Sequence, residues 1–382
     1  MSSPTTTTRR IRVLIVDDSA LARTIIAKSL APFADIEVVG TAVDPYVARD
    51  LIIELKPDVI TLDIEMPRMD GISFLKVLMR HRPMPVIILS SLTAAASEKA
   101  LEALQAGAVD VMEKPSGSYS AHSDGTHLAN KIRAAAHTNI RARVQEVRQI
   151  QTPPPQMVRR PAATSNRSFP ARRLILLGAS TGGTQALKEV LMSMNGDLPG
   201  ICIVQHIPAY FSKAFADRLN QTCQMEVREA KHGDVVRAGL ALIAPGGYHL
   251  VIKWKGDRYL VELNQSAPIH YQCPAVDILF ESAVKAGAGP YTAAALLTGM
   301  GVDGAAGLLH LREAGASTIA QDEASSIVFG MPREAIRLGA AQQVLPLDQI
   351  GLRLEQLASA PSDRPESPMS PPGNLRPDRA SI

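Results

Sequence analysis

Ile175-Leu176-Leu177-Gly178-Ala179-Ser180-Thr181-Gly182-Gly183 carries an apolar run straight into a glycine-framed serine, and an amphipathic stretch from Gln185 to Leu191 follows at once. That order reads as a buried strand, a tight turn and a helix, with the Ser180 hydroxyl presented in the turn. Small residues on both sides let backbone amides approach whatever the hydroxyl attacks. In a chain with 26 glycines the G-x-S-x-G pattern alone fits a nucleophile and a plain Gly/Ser turn about equally.

Downstream, Gly200 to Gln205 is a second apolar strand with His206 directly after it, and residues 212–220 read as a helix. Glu226 to Ala230 and Ala241 to Ala244 are further short strands. Tyr248 to Ile252 and Arg258 to Leu263 alternate around Lys255-Gly256-Asp257, a hairpin signature. Asp277 to Ala286 is helical, and Thr292 to Leu297 leads into Thr298-Gly299-Met300-Gly301-Val302-Asp303-Gly304. A helix from Ala305 and a strand from Ser317 to Ala320 follow. This half is a doubly wound, mostly parallel α/β domain of hydrolase type with a small β-hairpin insert.

A serine hydroxyl becomes a useful nucleophile when a histidine takes its proton and a carboxylate fixes that histidine's tautomer. Ser180, His206 and Asp303 each follow an apolar strand, so they converge on the carboxyl edge of one sheet. Their order, Ser…His…Asp, differs from the Ser…Asp…His of α/β-hydrolases. The glycines around Asp303 suit a loop with inward amides, and those of Met300 and Gly301 are oxyanion candidates. His232 and His249 are rival bases, the first in a charged turn, the second in the hairpin. His270 flanks the site and His310 lies on a helix. Asp234 and Asp277 are rival acids, the latter read as a helix-start charge.

Upstream the chain makes a different sheet. Ile11 to Val16 runs into Asp17-Asp18-Ser19; Ile36 to Gly40 and Asp58 to Leu62 follow, the latter ending at Asp63. Pro85 to Leu89 delivers Ser90, and Val109 to Met112 delivers Glu113-Lys114-Pro115. Strands alternating with helices predict a flavodoxin-like (βα)5 parallel sheet. Asp17, Asp18 and Asp63 then crowd one edge, a hard oxygen site for Mg²⁺. Asp63 is placed to accept a phosphoryl group, with Ser90 and Lys114 to bind its oxygens.

The 382 residues include 46% hydrophobic and 20% charged side chains, with a net charge of +3, which fits globular domains without a basic stripe for nucleic acid. Cys202, Cys223 and Cys273 show neither metal spacing nor a disulfide framework, so a reducing cytoplasm is expected. No stretch reads as a signal peptide or a membrane span. The expected organisation is a disordered tail over 1–10, a (βα)5 domain over 11–135, a linker over 136–170, a catalytic domain over 171–357 and a disordered tail over 358–382. Pro153-Pro154-Pro155 stiffens the linker, into which the last helix of the first domain runs.

Val16-Asp17-Asp18-Ser19, Leu62-Asp63 through Asp70-Gly71, Ser90 and Lys114-Pro115 resemble the two-component receiver domain. The resemblance implies Asp63 as phosphoacceptor, Asp17, Asp18 and Asp63 around Mg²⁺, and Ser90 and Lys114 as switch residues. Asp70 and Gly71 shape the loop and cap the next helix. Val111 stands where receivers often carry an aromatic, so the signal must travel by other packing.

Gly178 to Gly183, Val204-Gln205-His206-Ile207-Pro208, Ala244-Pro245-Gly246, Leu297 to Gly304 and Gln321-Asp322-Glu323-Ala324-Ser325-Ser326 with Gly330-Met331-Pro332 resemble the chemotaxis protein-glutamate methylesterase family. That resemblance implies Ser180 as nucleophile, His206 as base and Asp303 as orienting acid, with Thr181 and Met300 bordering the oxyanion site. It implies a chemotaxis-type histidine kinase as phosphodonor and a glutamate γ-methyl ester, or a glutamine amide, on a methyl-accepting chemoreceptor as substrate. No nucleic acid, membrane insertion or cofactor of the catalytic domain is implied. Cys273 replaces an arginine the family usually places before Pro274. An esterase or amidase acting on another signalling receptor and a phosphorylation-gated docking module without catalysis are the alternative readings.

Overall fold

The structure, a computed structural model, describes residues 9–91, 93–114, 121–138 and 169–360. Nearly all of the 1–10 tail, most of the 136–170 linker with its continued helix, and the tail beyond 360 lie outside those residues.

The N-terminal unit runs β1 (Ile11–Val16), α1 (Ala20–Leu30), β2 (Ile36–Ala42), α2 (Pro45–Leu55), β3 (Val59–Asp63), α3 (Gly71–His81), β4 (Val86–Ser90), α4 (Ala94–Gln105), β5 (Asp110–Glu113) and α5 (Ala121–Ala136). Its five strands are parallel, in the order β2-β1-β3-β4-β5. β3 and β4 are buried along their whole length, as strands covered by helices on both faces must be. Helix starts are fixed by short polar side chains: Asp70 accepts the Ser73 amide at 2.9 Å and Asp44 the Tyr46 amide at 2.8 Å. Gly71 is required by crowding, because a Cβ there would lie 2.0 Å from the Asp63 carbonyl oxygen.

The C-terminal unit continues β6 (Leu174–Ala179), α6 (Gly183–Ser193), β7 (Gly200–Gln205), α7 (Phe211–Thr222), β8 (Glu226–Glu229), β9 (Val235–Val236), β10 (Leu240–Ile243), β11 (His249–Lys255) and β12 (Arg258–Asn264). It closes with α8 (Val276–Lys285), β13 (Thr292–Leu296), α9 (Ala305–Glu313), β14 (Ser317–Gln321), α10 (Met331–Arg337), β15 (Gln343–Leu345) and α11 (Leu347–Ser359). Seven strands form a parallel sheet in the order β15-β14-β13-β6-β7-β10-β8. The chain leaves central β6 toward β7 on one side and returns to β13 on the other. That is a topological switch point, where open α/β sheets place their sites. The hairpin is one strand larger than the sequence implies, since β9 adds to β12. Two-residue β9 and three-residue β15 are too short to show a period. α11 extends to Ser359, two residues past the expected end of the domain.

The two units touch. α4 packs on α7 and α6, with Leu101 and Leu104 facing Phe215 and Leu219 across the seam. Arg218 donates to the Gln105 carboxamide, and the apolar core of the smaller sheet is continuous with one face of the larger. No helix among the described residues is long and apolar enough to cross a membrane.

Candidate functional site

At the carboxyl edge of the small sheet, Asp17 and Asp18 follow β1, Asp63 ends β3, Ser90 ends β4 and Lys114 follows β5. These strands are neighbours, so Asp17, Asp18, Asp63 and Lys114 come together, and Ser90 stands at the same sheet edge. Lys114 Nζ bridges Asp17 at 2.8 Å and Asp63 at 2.9 Å. Burial pushes the Asp63 carboxyl above its ordinary range, even with the lysine beside it. Burial pulls the lysine down, yet its two carboxylates hold it above its ordinary value. Carboxylate oxygens of Asp17, Asp18 and Asp63 lie within 4.8 Å of one another, a hard donor set of the kind Mg²⁺ takes. The Ser90 hydroxyl is directed to the Ser91 carbonyl at 3.5 Å.

In the large sheet, Ser180, His206 and Asp303 follow β6, β7 and β13, which are adjacent strands. Ala179 pairs with Gln205, so Ser180 and His206 come next in register. Asp303 Oδ2 accepts from His206 Nε2 at 2.7 Å, with both side chains 2% exposed. His206 Nδ1 is buried and has no hydrogen-bond partner among the described residues. With Nε2 fixed by the acid, Nδ1 is the nitrogen left to act as a base. Burial raises the Asp303 carboxyl, but the His206 bond and the Asp277 and Val276 amides outweigh it and keep the group below its ordinary value.

Main-chain bonds set the serine turn. The Ser180 amide donates to the Thr298 carbonyl at 3.0 Å, which removes it as an oxyanion donor. Amides of Met300 and Gly301 donate to no backbone carbonyl among the described residues, and Gly301 adopts φ +92°. Gln205 Nε2 ties the carbonyls of Ser180 and His206 together at 2.8 and 3.1 Å. Gly183 leaves room for that carboxamide, because a Cβ there would stand 2.1 Å from Gln205 Oε1.

The rival residues have other duties. His249 is fully buried, accepting the Ala275 amide at 3.1 Å and contacting the Ala267 carbonyl, so it packs the hairpin. His232 accepts the Leu263 amide, His310 pairs with Glu281, and Asp234 pairs with Arg228. Asp277 does start a helix, but it also lies against Asp303, and His270 Nε2 is 3.8 Å from its Oδ2.

The interface brings in residues that pattern reading passes over. Thr181 Oγ1, next to the nucleophile candidate, donates to Asp110 Oδ2 of β5 at 2.5 Å. Asp110 in turn holds Lys131 of α5 at 2.7 Å in a buried ion pair. A cavity of about 250 Å³ beside this contact is lined from one unit by Lys114, His127 and Lys131 and from the other by His206, Tyr271 and Cys273. Burial and the Lys131 charge push His127 down to about 3, so it lines the cavity as neutral imidazole. Cys273 therefore faces the receiver-like unit across that cavity. A charged residue inside an apolar strand, Asp110 after Val109, is the one sequence signal that marks the contact.

Comparison with known proteins finds relatives for both units of the chain. Residues 175–354 match the CheB methylesterase family and residues 13–124 the response regulator receiver domain. The chain is 52% identical over 342 residues to protein-glutamate methylesterase/protein-glutamine glutaminase 2 of Syntrophus aciditrophicus, covering 89% of this chain and 97% of that one. It is 46% identical over 356 residues to the protein of that name numbered 4 in Anaeromyxobacter dehalogenans, covering 93% and 97%. With number 1 of Cupriavidus metallidurans the identity is 49% over 350 residues, covering 91% and 96%. The chain belongs to the CheB methylesterase family, with a response regulator receiver domain ahead of its hydrolase domain.

Proposed function

We propose that this chain is a phosphorylation-activated protein-glutamate methylesterase and protein-glutamine glutaminase. Its substrates are methyl-esterified or amidated glutamyl side chains on chemoreceptor cytoplasmic helices, its phosphodonor is a chemotaxis-type histidine kinase, and it works in the cytoplasm. The observation that carries the reading is the convergence of Ser180, His206 and Asp303 on three adjacent strand ends, with β5 and α5 of the receiver against them. The receiver over 11–135 and the catalytic unit over 171–357 form part of the same proposal, with α11 moving the last bound to Ser359.

His206 Nδ1 takes the Ser180 proton as Oγ attacks the ester carbonyl carbon. Negative charge on the carbonyl oxygen is met by the Met300 and Gly301 amides, with Thr181 at the border of that site. The imidazolium, stabilised by Asp303, returns its proton to the leaving oxygen as the C–O bond breaks and methanol departs. Water then attacks the Ser180 ester by the same route and frees the glutamate. With a glutamine substrate, ammonia leaves in place of methanol.

In the receiver, Asp17, Asp18 and Asp63 would hold Mg²⁺, which when bound neutralises phosphoryl oxygens during transfer. Asp63 accepts the phosphoryl group, and Lys114 and Ser90 bind it. Lys114 then exchanges its carboxylate partners for phosphoryl oxygens, and it lines the cavity that also contains His206. This is the path by which the modified receiver loosens its hold.

The test is methanol release from a methylated receptor, with and without a small phosphodonor. The parent is expected to be stimulated. Asp63→Asn is expected to retain only the basal rate, and chelation of divalent cations to remove the stimulation. Equal stimulation of Asp63→Asn would exclude this control.

A further inference from the structure

We propose that Asp277 is a positioning residue for the His206–Asp303 pair: it fixes the loop that carries Asp303 and sets the negative charge facing the imidazole. The inference rests on the esterase reading and deepens it.

The two acids cap each other's helices. Asp303 lies one residue before the Gly304 cap of α9, and it accepts the Val276 and Asp277 amides at the start of α8 at 2.7 and 3.0 Å. Asp277, in the first turn of α8, accepts the Gly307 amide of α9 at 2.7 Å. Gly307 keeps that approach open, since a Cβ there would stand 3.0 Å from Asp277 Oδ1 and 2.8 Å from the Phe280 Cβ. An acid that only marked a helix start would face solvent. This one is held from two sides: its Oδ1 accepts the Gly307 amide, and its own amide donates to the carboxylate that holds His206 at 2.7 Å.

Two neighbouring carboxyl groups, one of them bonded to the imidazole, titrate as a unit. Burial and the Asp303 charge push the Asp277 carboxyl up to about 6. Below that pH Asp277 is protonated and donates to Asp303, drawing charge away from the imidazole. Above it, two negative charges support the imidazolium that forms during attack. Among the described residues, the other titratable groups around Asp277 are His270, from the loop before α8, and the His310–Glu281 pair joining α9 to α8.

The experiment is the pH dependence of kcat/KM for methanol release by the full-length chain saturated with phosphodonor, comparing the parent with Asp277→Asn, Asp277→Glu and Ser180→Ala. Asparagine keeps a carbonyl oxygen for the Gly307 amide, so the fold is retained, which the thermal unfolding midpoint checks. Its acid limb is expected about one pH unit lower than the parent's, the effect of removing one nearby charge. Its plateau is expected about tenfold lower with KM unchanged. Asp277→Glu restores the charge and brings the midpoint back. An Asp277→Asn or Asp277→Glu profile that contradicts this order, with the Asn midpoint equal to the parent's or the Glu midpoint equal to that of Asn, overturns the proposal and leaves Asp277 a helix cap. Methanol release by Ser180→Ala at the parent's rate would instead remove the esterase reading itself.

Discussion

Replacing Ser180 with alanine is expected to lower phosphodonor-stimulated methanol release by about four orders of magnitude or more. The loss falls on kcat, because no part of substrate binding is assigned to the hydroxyl. Folding is insulated from the change: in the hydrogen bonds that fix the turn, Ser180 N–H to the Thr298 carbonyl and Gln205 Nε2 to the Ser180 carbonyl, residue 180 uses only its main-chain atoms. Phosphorylation of Asp63 should proceed normally in the variant. His206→Gln is expected to fall as far, since nothing then removes the serine proton. A Ser180→Ala enzyme within tenfold of the parent would mean that the convergence of the three side chains is idle and that the receiver gates something else.

Asp110→Ala is expected to raise the unstimulated rate by about thirtyfold and to shrink the phosphodonor stimulation by the same factor. In the closed arrangement Asp110 satisfies the Thr181 hydroxyl at 2.5 Å and the buried Lys131 ammonium at 2.7 Å. Removing the carboxylate leaves a cation without its partner under the catalytic domain, which is costly as long as the interface stays shut. Opening returns Lys131 to water and relieves that cost. A penalty of about 2 kcal/mol, modest for a broken buried pair, corresponds to the thirtyfold change. A closed fraction of 99% itself needs only about 2.7 kcal/mol, so one such contact matters. Phosphoryl uptake at Asp63 serves as the folding control. Normal uptake with an unchanged basal rate would show that the Thr181–Asp110–Lys131 chain does not hold the domains together.

Much of the fold was legible because fully buried parallel strands are continuous apolar runs that end in chemistry. Val13 to Val16 before Asp17, Ile175 to Ala179 before Ser180 and Ile201 to Val204 before Gln205-His206 announce both a strand and what its end presents. Chain order plus the rule that sites lie at carboxyl ends brought Asp303 to the same edge. Strands of two or three residues, such as Val235–Val236 and Gln343–Leu345, offer no period to read.

The site residues missed share a different cause. Asp110 acquires its partner from a residue 71 positions away in another domain, and Asp277 meets Asp303 only because α8 and α9 pack side by side. The acid within an apolar strand flags Asp110 without naming its partner, and the Asp277–Asp303 juxtaposition leaves no local pattern. Reading Asp277 as a helix-start charge was right about its place and incomplete about its neighbour.

The most direct measurement of the central claim, that the receiver covers a Ser180-centred site and phosphorylation uncovers it, is labelling of the full-length chain by a serine-reactive fluorophosphonate, followed by mass spectrometry. The expected result is a single adduct on Ser180 that forms slowly in the resting chain, faster with phosphodonor, and without acceleration in Asp63→Asn. An adduct on another residue, or labelling of Ser180 at one rate whatever the state of Asp63, would contradict it.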